Sequence, residues 1–477
     1  MLAVTAVSGG AFLLLLAIAP RYGWHRDELY FLEAGRHLDW GYIDQPPLTP
    51  LVARLADRVA PGNLVVLRLL PALATAVTVV LGALLVRELG GRRQAQLAGA
   101  AVISAGGFVL GVGHLLSTAV FDLTAWMALL WVVARLLCTG NPRWWIAFGA
   151  IAGLSMLNKN LLVLLGTALL CGLLVERRRD LLLSRWTVAG GALALAIASP
   201  NLIWQAQHGW PQVEMARVLA DRLAGENRAT LVPLQVLFVG PAFVTVLWAG
   251  ARWLGRDPSA RRFRPLLWAW PAGLVATFVS GGRPYYVVPL SIVVVLAGVV
   301  AAERDGRTRH LGWLIAANAL VSLPLALPLL PRSTTRVTAS MNEVVAETIG
   351  WPELVEQVTA VVGQLPEEEQ ASVVLLAASY GEAGALDRFG PAHGLPPAHS
   401  PHNSYADFRR PQDDEATVVA VRYPVERLAP YFERCDELEV VDNGFNISNE
   451  VQGTPIVVCR GLRATWADTW AALRFLA

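Results

Sequence analysis

The densest group of chemically capable side chains is Trp24-His25-Arg26-Asp27-Glu28-Leu29-Tyr30. Two adjacent carboxylates beside an imidazole and a guanidinium can supply a general base or bind a cation. The plain alternative is a charged helix start, where acids are favoured by the dipole. A second acid, Asp44, lies in Tyr42-Ile43-Asp44-Gln45-Pro46-Pro47. The prolines stiffen that turn, because a residue before proline avoids the helical region. Rigid backbone suits a positioned group, and a turn-capping Asp is the other reading. Lys159, in Leu157-Asn158-Lys159-Asn160-Leu161, is the only lysine in the chain. It reads either as a lysine snorkelling to an interface or as a compact point charge kept for a phosphate.

Three smaller features carry further candidates. His114 and Asp122 bracket the stretch that leads into an apolar run, and Asp122 either caps that run or serves a site. Asn201 to Pro211 contains Trp204 and Trp210, which read as interface anchors, together with Gln205 and His208, which could reach a polar ligand. In Gly281-Gly282-Arg283-Pro284-Tyr285-Tyr286, Arg283 and Tyr285 can hydrogen-bond a phosphate or form an aromatic belt with a snorkelling arginine. The chain has no P-loop, HExxH, CxxC or GxSxG pattern, so ATP hydrolysis, zinc proteolysis and serine hydrolysis have no support. No cofactor is implied with certainty. A divalent cation on Asp44 or Asp122 is one option.

The elements that position these residues are mostly membrane spans. Hydrophobic residues make up 55% of the 477 and charged ones 16%, with a mean hydropathy of +0.46. Soluble proteins carry about 25% charged residues. The deficit excludes a disordered chain, a nucleic-acid partner and a disulfide-stapled secreted domain. Apolar stretches at 2–20, 63–86, 97–113, 119–137, 144–157, 161–175, 186–203, 231–251, 265–280, 285–302 and 310–331 predict about 11 transmembrane helices. The loops on one side, counted with Arg135 at the end of the adjoining span, hold 17 basic residues, against ten on the other. Basic-rich short loops stay cytoplasmic. This predicts a multi-pass protein of the plasma membrane with its N-terminus inside and its C-terminal part outside. The first outer loop, 21–62, then carries Asp27 and Asp44, with amphipathic helices expected at 26–38 and 47–59. The fourth outer loop is expected at 204–230.

Residues 1–331 hold 28 basic and 16 acidic side chains, and 332–477 hold 11 and 21. The expected division is therefore a transmembrane domain, 1–331, and a soluble extracytoplasmic α/β domain, 332–477. In the latter, helices are expected at 341–363, 381–389, 424–434 and 465–475. Strands are expected at 373–378, 417–422, 437–441 and 455–459, with a Pro/His-rich loop at 391–412. Cys435 and Cys459 could pair if that domain faces an oxidising compartment, whereas Cys138 and Cys171 read as inert thiols in apolar runs.

Taken in order, Asp27-Glu28, Asp44-Gln45-Pro46-Pro47, Asp122, Lys159 and Arg283-Pro284-Tyr285-Tyr286 resemble the C-type membrane glycosyltransferases. Within them the closest resemblance is to glycosyltransferase family 39, the group of the protein O-mannosyltransferases and the lipid A aminoarabinose transferases. The Arg-rich, nearly Lys-free composition is similar to that of high-GC actinobacterial proteins. The resemblance implies transfer of a hexosyl or pentosyl unit from a polyprenyl-phosphate donor to a protein, glycan or lipid acceptor on the outer face of the membrane. It implies Asp27 as the catalytic aspartate; an attacking hydroxyl needs a base, which makes Asp27 the expected one, with Glu28 or His25 orienting it or the acceptor. Two departures stand out. Gln45 occupies the place of a lysine in the aminoarabinose transferases, and Tyr30 that of an arginine. Both remove cations from the phosphate side, which leaves Lys159 and Arg283 as the expected phosphate ligands and points away from aminoarabinose. A transporter or lipid flippase is the rival class, although the chain lacks the repeat symmetry such proteins usually show. A non-catalytic sensor or scaffold is the third.

Overall fold

The computed structural model describes residues 1–412 and 417–477. The chain forms two compact units that are discontinuous in sequence. One comprises 1–19, 45–49 and 68–327; the other comprises 20–44, 50–67 and 328–477. The first-loop segments 20–44 and 50–67 thus group with residues 328–477.

The first unit is helical. Among the described residues four helices are long and apolar enough to cross a membrane: Leu64–Glu88, Thr118–Thr139, Arg185–Gln207 and Pro284–Arg304. Two further pairs are bent, Arg93–Ser104 with Gly107–Gly113 by 61° and Pro211–Val239 with Pro241–Arg256 by 89°. Leu2–Ile18, Trp144–Met156 and Leu162–Val175 are shorter apolar helices. Arg264–Ser280 and Thr308–Ala326 complete the set.

Glycines let several of these helices approach closely. A Cβ on Gly149 would lie 2.0 Å from the Gly190 carbonyl oxygen, and one on Gly298 would lie 1.9 Å from that of Val246. Small residues at helix contacts are the expected means of packing where lipid offers no hydrophobic driving force.

Two expected spans are corrected, and the first, 97–113, is broken into Arg93–Ser104 and Gly107–Gly113. Residues 231–251 do not form a single helix, and 204–230 is not a loop. Helix Pro211–Val239 runs through most of that stretch, ends at Gly240 (φ 119°), and the chain turns through Pro241–Phe243 into Val244–Arg256. The polar residues of 214–228 mimic a loop, yet Ala, Leu, Glu and Arg there are strong helix formers. A left-handed glycine followed by proline is what stops the helix.

The second unit contains a five-stranded sheet in the order β2-β1-β3-β5-β4. Its strands are β1 (Val373–Ala377), β2 (Ala398–His399), β3 (Thr417–Val421), β4 (Phe432–Val440) and β5 (Pro455–Leu462). β1 runs parallel to β2 and β3, whereas β5 is antiparallel to β3 and β4. The continuous apolar runs of β1 and β3 are buried along their whole length, as central strands require. Cys435 and Cys459 face each other across β4 and β5 and are disulfide-bonded.

Two expectations change here. The helix at 424–434 shrinks to Val425–Leu428, because Phe432 already begins β4 and its ring enters the core between sheet and helix. The helix at 341–363 is broken: Gly350 at φ 97° precedes Trp351-Pro352, and only Trp351–Gly363 is a continuous helix. Helix Arg26–Arg36, the first-loop element that carries Asp27, packs on Tyr380–Phe389 through Gly381 and Gly384. The second first-loop helix, expected at 47–59, is Leu48–Val59.

Candidate active site

The carboxylates come first. His25 caps helix Arg26–Arg36: its Nδ1 accepts from the Asp27 amide at 3.1 Å, and Glu28 accepts from the His25 amide at 2.9 Å. This reciprocal cap satisfies two helix-end donors at once. It also seals Glu28, which has no exposed surface, while the Asp27 side chain stays 32% exposed. Oδ1 of Asp27 accepts from the Tyr380 hydroxyl at 3.0 Å, with Arg26 Nε 3.6 Å away. Arg26 is itself paired with Glu450.

Asp44 is in the same unit. Its Oδ1 accepts from the Tyr30 hydroxyl at 2.8 Å, and its Oδ2 from Asn403 Nδ2 at 3.4 Å. Burial pushes its carboxyl up to about 6; the negative charge of Asp27 adds to that, against the hydrogen bonds from Tyr30 and Asn403. Ser404 anchors the same turn, with its Oγ accepting from the Ile43 amide at 2.8 Å. The second unit therefore brings together His25, Asp27, Glu28 and Asp44.

In the helical unit, Lys159 follows the end of helix Trp144–Met156, and its amide donates to Ser155 O at 2.8 Å. The Pro-Pro segment fastens this turn. The Leu48 amide donates to Leu157 O at 2.9 Å, and Thr49 Oγ1 donates to Asn158 Oδ1 at 2.8 Å. Asn158 Nδ2 donates in turn to Thr118 O, also at 2.8 Å, at the start of the helix that carries Asp122.

Lys159 Nζ donates to the Tyr285 hydroxyl at 2.9 Å and lies 5.2 Å from the Tyr286 ring centroid. It also supplies the opposite charge acting on buried Asp122, whose Oδ1 has no hydrogen-bond partner among the described residues. Lys159, Asp122 and Tyr285 thus form one cluster. Arg283 is exposed and sits at the N-cap of the turn Pro284–Val287. Asn160 donates to Gln212, which links the lysine turn to the start of Pro211–Val239.

Two other candidates are held locally. His114 is buried with Nδ1 2.8 Å from Gly111 O. His208 is exposed, stacked on Trp204 at 3.9 Å, with Nδ1 2.8 Å from Trp204 O. Gln45 is buried, and its side-chain amide has no partner among the described residues. Among the described residues no group of three or more His, Cys, Asp or Glu side chains is gathered to hold a metal ion.

Tyr380, Asn403 and Ser404 escaped the sequence reading. Ser379-x-x-Glu382 after the apolar strand is a legible capping box and marks the helix on which Tyr380 sits. Nothing in the sequence links that helix to a carboxylate 353 residues away.

Residues 44–204 match the family described as dolichyl-phosphate-mannose-protein mannosyltransferase. No curated protein matches the chain. Among solved structures, ArnT from Cupriavidus metallidurans in the apo state is similar at 16% identity, with 99% of this chain and 98% of that one covered and a TM-score of 0.59. The same protein bound to undecaprenyl phosphate gives 17% identity, 95% and 97% coverage, and a TM-score of 0.55. The arabinofuranosyltransferase AftD from mycobacteria gives 13% identity, 96% and 40% coverage, and a TM-score of 0.52. The resemblance drawn from the motifs is borne out: the fold is that of the C-type membrane glycosyltransferases, in a multi-pass membrane protein.

Proposed function

From a chain with the C-type glycosyltransferase fold and a family 39 match over residues 44–204, we infer a membrane enzyme that transfers a sugar from a polyprenyl-phosphate-linked donor to an acceptor on the outer face. The observation that carries this reading is the contrast between the adjacent acids. Glu28 is consumed by the helix cap, whereas Asp27 stays partly exposed and is held by a phenol. A base at a membrane edge needs both access and orientation.

In this mechanism the acceptor hydroxyl attacks the anomeric carbon and its proton passes to Asp27. The bond from that carbon to the phosphate oxygen breaks, and the electron pair leaves with polyprenyl phosphate. One displacement inverts the anomeric configuration. Lys159, held by the Tyr285 hydroxyl, meets the growing phosphate charge, and Arg283 adds a second cation. Preorganised charge of this kind is worth several kcal/mol where water is scarce. Asp44 and Asp122 bind the sugar. The ArnT structure bound to undecaprenyl phosphate supports a polyprenyl carrier. The Cys435–Cys459 disulfide and the arginine-rich loops support an outward-facing C-terminal domain.

The purified protein, incubated with radiolabelled polyprenyl-phosphate sugars in proteoliposomes, tests the class. An enzyme releases polyprenyl phosphate. Label that crosses the bilayer intact would instead indicate a transporter, and label that neither reacts nor moves would indicate a scaffold.

A further inference from the structure

Four rings of the second unit form one continuous stack. Tyr30 lies on Tyr380 at 4.6 Å between centroids, Tyr380 on His402 at 4.8 Å, and His402 on Phe475 at 4.6 Å. Tyr380 is thus covered on both faces, so its ring offers no platform for a sugar. Its hydroxyl is the part that acts, donating to Asp27. The neighbouring phenol, Tyr30, donates to Asp44. Two stacked phenols therefore hold one carboxylate each.

The backbone beneath is equally fixed. Tyr380 opens a helix capped reciprocally by Ser379 and Glu382. Gly384 of that helix brings it against Leu29, two residues beyond Asp27. Burial first, and then the negative charge of Asp27, hold the Tyr380 phenol well above the usual tyrosine range. The hydroxyl accordingly stays protonated and remains a donor.

We propose that Tyr380 is a positioning residue for Asp27, orienting its carboxylate and favouring the ionised, proton-accepting form through the hydroxyl bond. Residues of the C-terminal part of the chain then supply a component of the chemistry. The inference rests on Asp27 being the base.

The test is Tyr380→Phe in the purified full-length protein, assayed with a polyprenyl-phosphate sugar donor over a range of pH. Loss of a positioned group costs on the order of tenfold to a hundredfold. The expected result is therefore a kcat lower by about tenfold or more, with KM for the donor changed by less than about twofold. Losing a donor to an ionised carboxylate raises its pKa, so the acidic limb of the kcat profile should move to higher pH.

The groups facing Asp27 include His25 and Arg26 on its own helix start, and Tyr380 and Asp44 from the elements packed against it. An equal shift in Tyr30→Phe would assign the limb to Asp44 and overturn the proposal. An unchanged kcat would overturn it, as would a kcat loss with the limb unmoved, which marks a structural role. Should the variant fold poorly by thermal unfolding, a difluorinated tyrosine at Tyr380 keeps the stack and strengthens the donor. The limb should then move to lower pH, and no movement refutes the idea. Activity that survives Asp27→Asn would remove the underlying reading. An inactive Asp27→Asn beside a normal Tyr380→Phe would remove this inference alone.

Discussion

Gly384→Ala should disable turnover while leaving the protein folded. A Cβ on Gly384 would lie 2.9 Å from Leu29 Cβ, 3.0 Å from Leu29 C and 3.2 Å from Leu29 O. Carbon atoms rest at about 3.5–4.0 Å, so helix Arg26–Arg36 must retreat by roughly 0.6–1 Å. Two of the three nearest atoms belong to the backbone, so no side-chain rotation relieves the clash.

Overpacking of this kind costs about 1–3 kcal/mol. Alanine returns about 1 kcal/mol of helix propensity over glycine. The net stability loss is then at most about 2 kcal/mol. Asp27 rides on the first turn of the displaced helix, and a displacement near 1 Å costs about a hundredfold in rate. The kinetic effect should therefore dominate. The assay is release of polyprenyl phosphate from labelled donor, run beside thermal unfolding of the same preparation. Gly363→Ala, whose added Cβ meets nothing within 4 Å, is the control and should leave both readings near wild type. Unchanged turnover in a folded Gly384→Ala protein would refute the coupling, as would a rate loss that unfolding alone explains.

Asp44 predicts a pH dependence of stability. Its carboxyl titrates at about 6 in the folded protein, against about 3.9 when unfolded. The stabilisation is complete below about pH 4, falls as pH rises through about 6, and amounts to at most about 3 kcal/mol. Unfolding of wild type and Asp44→Asn across that range should show the slope in the former alone, and a persistent slope would assign it elsewhere. Lys159→Met should raise the apparent KM for the donor lipid by about tenfold or more, since hydrogen bonds to charged groups contribute about 1.5–3 kcal/mol. An unchanged KM would return Lys159 to the role of an interface anchor.

The membrane helices were legible because lipid demands long apolar runs, and a helix lies at or within each expected span. Two spans are broken, 97–113 between Ser104 and Gly107 and 231–251 where Gly240-Pro241 ended a helix whose first half is polar, a case in which hydropathy misleads. The small sheet was legible from the apolar runs of β1 and β3. β4 was partly missed, because 424–434 carries charge at helical spacing while only Phe432 reports its burial in the core. Residue types alone flagged Asp27, Asp44 and Lys159 as candidates. What the sequence hid is long-range partnership. Tyr380 on Asp27 and Asn403 on Asp44 depend on tertiary packing that no local pattern encodes. Glu28 shows the converse: an acid that looks chemical beside Asp27 but is held in a helix cap.

Whether Asp27 takes the acceptor's proton is decided by single turnover of a labelled polyprenyl-phosphate sugar on Asp27→Asn protein. Positioned bases contribute about a hundredfold to ten-thousandfold. A loss of that order is expected, with donor binding and thermal unfolding near wild type. Turnover at the wild-type rate would contradict it.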